Sequence, residues 1–201
     1  MAVLKVRHID YPFTAEQVEP LRVGQFVLVS GLVYTARDRM HKYLYEGGAS
    51  PVDLKNSALY HCGPVVIRKQ ENWVVCAAGP TTSAREEPYL PRIFKNHGVR
   101  VVMGKGMMGK VTETACKANG CVYLHAVGGA AQVLASKVVS VKGVHFAAEF
   151  GMAEALWVLE MKDFPVIVAI DSKGRSLLRG IQLNSRRIGQ KLIDTEAPFI
   201  P

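Results

Sequence analysis

The chain has 201 residues, 49% of them hydrophobic, with 18 glycines. That composition suits one well-buried α/β domain over residues 1–201 and excludes a disordered chain. Lysine and arginine (25) exceed aspartate and glutamate (17), giving a formal charge of +8, which attracts nucleic acid, a membrane surface or a small anion alike. Apart from Arg175, Arg179, Arg186, Arg187 and Lys191 the cations are spread along the chain, and aromatics do not interleave with them as on a base-stacking surface. No uncharged apolar run would span a bilayer, and MAVLKVRHIDYPF lacks the apolar stretch of a signal peptide. The cytoplasm is the default expectation.

Residues 1–35 read as an all-β start: VLKVRHI, then EPLRVGQFVLVSGLVYTA with Gly24 and Gly31 as turn or bulge points. ARDRMHKYLYEGG predicts a helix capped by Asp38, ending at Gly47-Gly48, with Met40, Tyr43 and Leu44 on one face. Arg37 stands at the strand-to-helix junction, on local pattern a surface charge, and His41 reads as a structural hydrogen-bonder. ALYHCGPVVIRK is a strand broken by Gly63-Pro64.

The central stretch, Asn72 to Lys110, reads as strand, polar loop, helix, strand, glycine loop. Pro88 and Gly98 bracket its helix. The unit repeats: strand Trp73–Ala77 and a helix to Gly98, strand Val99–Met103 and a helix to Gly120, then CVYLHAV running into GGAAQVLASKVV. Such units favour parallel pairing with right-handed crossovers, so that all three loops open on one edge. In open α/β sheets ligands bind there. Thr81, Thr82 and Arg85 in the first loop, Lys105 in the second, and the N–H groups of helix starts suit a carboxylate or phosphate. His125, before Gly128-Gly129, reads as a core histidine near that edge. Farther on, Glu149 to Leu159 is helical in propensity and ends at DFP. VIVAID is a buried strand, and Ser172-Lys173-Gly174 predicts a hairpin turn into another strand, followed by a polar tail.

Cys62, Cys76, Cys116 and Cys121 form no C-x-x-C and are too irregular for a disulfide framework. They read as free thiols, and this chain is expected to hold no metal by itself. Gly104 to Val111, GKGMMGKV, satisfies G-x-x-x-x-G-K, but Val111 stands where a P-loop needs a hydroxyl for Mg²⁺, and Thr112 comes one residue too late. Nucleotide hydrolysis is therefore disfavoured.

Taken together, GPTTSAR, GKGMMGK, VYLHAVGGAAQVLA and MAEALWVLEMKDFPVIVAIDSKG resemble the β subunit, or C-terminal domain, of iron–sulfur-dependent class I fumarases and L-tartrate dehydratases. The resemblance covers almost the whole chain. It implies a swivelling β/β/α-type domain that closes over a [4Fe–4S] cluster held by cysteines of a separate α subunit or N-terminal domain. It also implies roles. Thr81 matches the family's proposed general base, with Thr82 beside it, while Arg37, Arg85 and Lys105 match groups that grip the substrate carboxylates. Read without the resemblance, Thr81-Thr82 is a helix N-cap with a neighbouring hydroxyl. Two departures stand out: Glu86 follows Arg85 where the family usually has Met, and Met107 replaces a glycine of GKGGM. The expectation is a hydro-lyase β subunit acting on fumarate, with L-tartrate or a related C4 dicarboxylate as the near alternative. A basic nucleic-acid-binding module is the alternative from another class.

Overall fold

A computed structural model describes residues 6–194; the beginning of VLKVRHI and the end of the polar tail lie outside them. The chain opens with β1 (Arg7–Asp10), α1 (Ala15–Val18), β2 (Phe26–Thr35) and α2 (Asp38–Tyr45). It continues with β3 (Ala58–Tyr60), β4 (Val65–Lys69), β5 (Asn72–Ala77), a 3-10 turn (Ser83–Glu86) and α3 (Leu90–His97). Then come β6 (Val101–Gly104), α4 (Lys110–Asn119), β7 (Val122–His125), α5 (Ala131–Ala135) and β8 (Val138–His145). α6 (Ala147–Phe150), β9 (Leu156–Ile170) and α7 (Leu177–Asp194) complete it.

The main sheet runs β1-β2-β3-β6-β7-β9-β8, and β2 also pairs with β9, so β2, β3, β6, β7 and β9 close into a barrel-like ring. β2, β3, β6 and β7 are parallel neighbours, and β9 runs antiparallel to both β7 and β2. Closure leaves these strands few unpaired edges. Strand alternation divides the apolar residues between the two faces. Val101, Met103, Val122, Leu124, Trp157 and Leu159 belong to one core, Val102, Tyr123, Leu156 and Ala169 to the other. Helices α2, α3 and α4 cover the second face through Met40, Leu44, Ile93, Phe94, Ala115 and Cys116. β2 bends at Gly31, φ 92, where a Cβ would meet Tyr11 Cβ at 2.7 Å; a side chain there is excluded twice over.

Four expectations need correction. The strand leading into the Thr81 loop, β5, lies outside the parallel sheet: it pairs antiparallel with β4 as a separate hairpin turning at Gln70, φ 54. β3 occupies the parallel place instead. Glu149–Leu159 is not one helix: α6 stops at Phe150, a turn follows, and Leu156–Leu159 opens β9, because β8 and then β2 pair with it and override local helix propensity. The DFP sequence lies inside β9 rather than ending a helix. Pro165 is tolerated because that part of β9 has registered pairs with β2 alone, leaving one edge without a ladder. The hairpin after VIVAID shrinks to one bridge, Ile170 to Ser176, and the chain turns into α7. Asp171 makes that turn, accepting the N–H groups of Lys173 and Arg175 on Oδ1 at 3.0 and 3.1 Å.

Candidate active site

The loops do converge on one edge, tied through their backbones. Thr81 donates its N–H to the His61 carbonyl just beyond β3 (2.7 Å), and Lys105 just beyond β6 donates to the Thr81 carbonyl (3.1 Å). Ser83 in turn donates to the Lys105 carbonyl (2.9 Å), and Ala126 beyond β7 to Gly104 (2.8 Å). Residues 81–83 thus run alongside the end of β6, with Thr82 bridged in parallel to Lys105. Gly104 makes this possible, since a Cβ there would collide with Ser83 Oγ.

Thr81 is half-buried, and its hydroxyl donates to the His61 carbonyl at 3.0 Å. Thr82 is exposed; it occupies the N-cap position of the 3-10 turn without making a side-chain capping bond. Arg85, 46% exposed, is gripped by Asp38: Nε–H donates to Oδ1 at 2.8 Å and Nη2–H to Oδ2 at 3.1 Å. These bonds hold the Asp38 carboxyl below its ordinary range. Asp38 is the first residue of α2 rather than its cap, and Arg37 takes the cap position. Arg37 reaches Glu154 Oε1 at 3.2 Å and donates to the Ala153 carbonyl at 3.4 Å, so it is no free surface charge. Gly63 leaves room for it: a Cβ there would lie 2.5 Å from the Ala153 carbonyl oxygen and 2.9 Å from Arg37 Nη1. The Lys105 ammonium has no ion pair or hydrogen bond among the described residues, and its stem lies over Gly128. Thr81, Thr82, Arg85, Arg37 and Lys105 therefore share one open edge.

Beneath them lies a polar layer that the sequence did not announce. His41, His61, Ser83 and Glu86 are all fully buried. His41 Nδ1 is 3.0 Å from the Arg37 carbonyl, and the His41 and His61 rings meet edge to face at 4.8 Å. His61 Nδ1 is 2.8 Å from Ser83 Oγ. The Tyr123 hydroxyl donates to the Gly106 carbonyl at 2.9 Å and lies 3.2 Å from Ser83. Glu86 Oε2 is 3.7 Å from His41 Nδ1, and neither carboxyl oxygen has a hydrogen-bond partner among the described residues. Burial pushes His41 down to about 4 and His61 well below its usual value, and pushes Glu86 up to about 8. At neutral pH all three are uncharged. His125 is half-buried at the end of β7, and its imidazole makes no hydrogen bond among the described residues, so it is not the satisfied core histidine expected.

The glycine loop holds no open anion seat at its helix. Glu87 fills it, accepting the N–H of Gly109 at 2.7 Å and of Thr112 at 3.1 Å. An acid of the chain itself sits where a phosphate would bind a P-loop, which adds to the missing hydroxyl at Val111.

The sequence profile described as Fumarase C-terminus matches residues 3–181. The chain belongs to this family. It is 50% identical over 182 residues to a protein of Geobacillus stearothermophilus provisionally named fumarate hydratase class I, covering 90% of this chain and 35% of that one. It is 38% identical to a protein of Methanocaldococcus jannaschii provisionally named L(+)-tartrate dehydratase subunit beta, covering 92% of this chain and 97% of that one. The L(+)-tartrate dehydratase subunit beta of Escherichia coli K12 is 37% identical over 83% of this chain and 84% of its own. The chain thus spans about a third of its Geobacillus relative and nearly all of the Methanocaldococcus one.

Among the described residues the cysteines do not fit an iron–sulfur cluster. Cys62, Cys116 and Cys121 are buried free thiols, Cys76 is half-buried, and no group of three His, Cys, Asp or Glu side chains is arranged to hold a metal. Burial holds Cys62 and Cys121 up at about 12, so both are protonated thiols in the free chain at neutral pH. Sequence reading missed Asp38 as a partner of Arg85, and it missed Glu87 and Gly63. The signal for Glu87 was there: a pair of acids between the hydroxyl loop and the glycine loop. Gly63 read only as a strand breaker. No described helix is long and apolar enough to cross a membrane.

Proposed function

We propose that this chain is the carboxylate-binding β subunit of a [4Fe–4S]-dependent hydro-lyase, reversibly converting fumarate and water to L-malate. Its single domain, of the swivelling β/β/α type, would close on a cluster-bearing α partner in the cytoplasm. The observation that carries this reading is that Arg37, Arg85 and Lys105, from three separate loops, share one edge of the sheet with Thr81. Family membership and the relatives' names support it. The second reading is L-tartrate dehydration, favoured by the relatives of matching length, which carry that name.

The residue types suit the chemistry. A proton α to a carboxylate is very weakly acidic, and its removal requires cations on that carboxylate to stabilise the charge that develops. Arg forks bind carboxylates at two points, and Lys adds a point charge. Thr81 supplies or takes the carbon-bound proton. Its own proton points at the His61 carbonyl, which leaves the oxygen lone pairs for the substrate side. As a base Thr81 acts only as its alkoxide: the hydroxyl proton first passes to solvent, since the His61 carbonyl accepts a hydrogen bond and not the proton, and neighbouring cations favour that loss. Thr82, beside it on the exposed side, completes the hydroxyl pair. Since no ligand set among the described residues fits, the cluster is assigned to the partner.

The test is anaerobic: combine the chain with its cluster-bearing partner and follow fumarate hydration and L-tartrate dehydration, with each chain alone as control. Activity only in the mixture supports the subunit reading, and the faster substrate decides between the two enzymes. No complex and no activity, with salt-dependent retention on DNA or RNA that dicarboxylates do not displace, would replace it with the nucleic-acid reading.

A further inference from the structure

Arg85 sits on a short 3-10 turn with nearly half its side chain in water. A long side chain in that setting samples many rotamers, and holding it for a ligand requires a second group. Asp38 is that group. Its carboxylate meets the Nε–Nη2 edge of the guanidinium in two parallel bonds, 2.8 and 3.1 Å, and Oδ2 also stands 3.9 Å from Arg37 Nη2. Arg37 is anchored on its other side by Glu154 and the Ala153 carbonyl. One carboxylate therefore lies between two guanidiniums that would otherwise repel each other. A guanidinium has two edges that can fork a carboxylate, and the Nη1–Nη2 edge of Arg85 is not used by Asp38.

We propose that Asp38 is a positioning residue: it clamps Arg85 by one edge, turns the other edge to the substrate carboxylate, and keeps Arg37 close enough to serve the same ligand. The proposal rests on the carboxylate-binding reading above. The opposite possibility, that Asp38 imitates substrate and competes for Arg85, predicts a change of the opposite sign. Asp38→Asn keeps the shape but sets an NH₂ group against the guanidinium donors.

In the assembled enzyme, Asp38→Asn should raise KM for the dicarboxylate and lower kcat/KM by about tenfold or more, with thermal stability and partner association unchanged. In an Arg85→Ala background the same change should cost clearly less than it does in the wild type, because only its part in holding Arg37 remains. Asp38→Glu should restore part of the loss. A lower KM in Asp38→Asn, or an undiminished effect in the Arg85→Ala background, would overturn the proposal. A readout independent of activity is guanidinium nitrogen NMR of the full chain. The Arg85 Nε–H signal, identified by its loss in Arg85→Lys, should exchange slowly with water in the wild type and fast in Asp38→Asn. Slow exchange in both would overturn the clamp. If the wild type shows a clamped Arg85 yet turns over neither substrate, the clamp stands and the hydro-lyase reading fails.

Discussion

Arg37 and Arg85 at the surface and His41, His61 and Glu86 directly beneath them handle charge in opposite ways. The surface guanidiniums each stand against a carboxylate of opposite sign, Glu154 for Arg37 and Asp38 for Arg85. The buried groups have no such partner at hydrogen-bond distance and lose their charge to the cost of burial. Glu86 is adjacent in sequence to Arg85, yet one is 46% exposed and the other 0%. Neighbours in the chain thus belong to different electrostatic worlds. A neutral layer under a paired one leaves Lys105, unlike Arg37 and Arg85, without an ion pair among the described residues and so open to an incoming anion at this edge.

The sharpest way to break this comparison is to remove the chemistry above the neutral layer. Thr81→Ala should spare substrate binding and lower turnover of the assembled enzyme by about 10² or more; retained turnover would move the proton transfer to another group. Arg85→Ala should cost about 3 kcal/mol or more of transition-state stabilisation, read from kcat/KM. Lys105→Met should also depress activity with fold and partner association intact, and unfolding instead would make Lys105 structural.

A smaller effect belongs to the buried layer. Glu86 loses its proton near 4.5 when unfolded and near 8 when folded, so the folded form holds the extra proton between those values. Stability therefore falls as pH rises from about 4.5 to about 8. His41 acts on the acid side: neutral when buried, it destabilises the fold as pH falls from 6.5 toward about 4. Glu86→Gln should flatten the slope between pH 4.5 and about 8 in chemical denaturation and stabilise the chain at pH 8 by on the order of 2 kcal/mol. An unchanged slope would mean that Glu86 is ionised in the fold. Gly63→Ala tests the seat of Arg37. Its Cβ must displace the Ala153 carbonyl or the guanidinium, so about 1–2 kcal/mol of stability should be lost, with a raised KM. Wild-type stability and KM would show that the loop yields without cost.

Much of the edge was legible in the sequence, because glycines, β-branched runs and loop cations are local signals. The left-handed ends of α3 at Gly98, φ 66, and α4 at Gly120, φ 65, fall at the expected residues, as does the bulge at Gly31. What failed had a common cause. β5 looks like any buried strand until its hairpin partner β4 is known. Leu156–Leu159 reads as the end of a helix until β2 and β8 flank it. Asp38 reads as a cap until Arg85, 47 residues later, is brought to it.

By itself the sequence determined the chain's family, the strand–loop–helix grammar of its middle and the side chains at its loops: Thr81, Thr82, Arg85, Arg37 and Lys105. Those are properties of residue type and short-range spacing. Tertiary structure alone decided which charges survive and where they point. It closed the sheet through β2 and β9, buried Glu86 while leaving Arg85 in water, and put Glu87 into the helix start that resembled a phosphate site. The physical reason is that ionisation and orientation depend on water exclusion and on partners distant in sequence, and neither is set until the chain has folded.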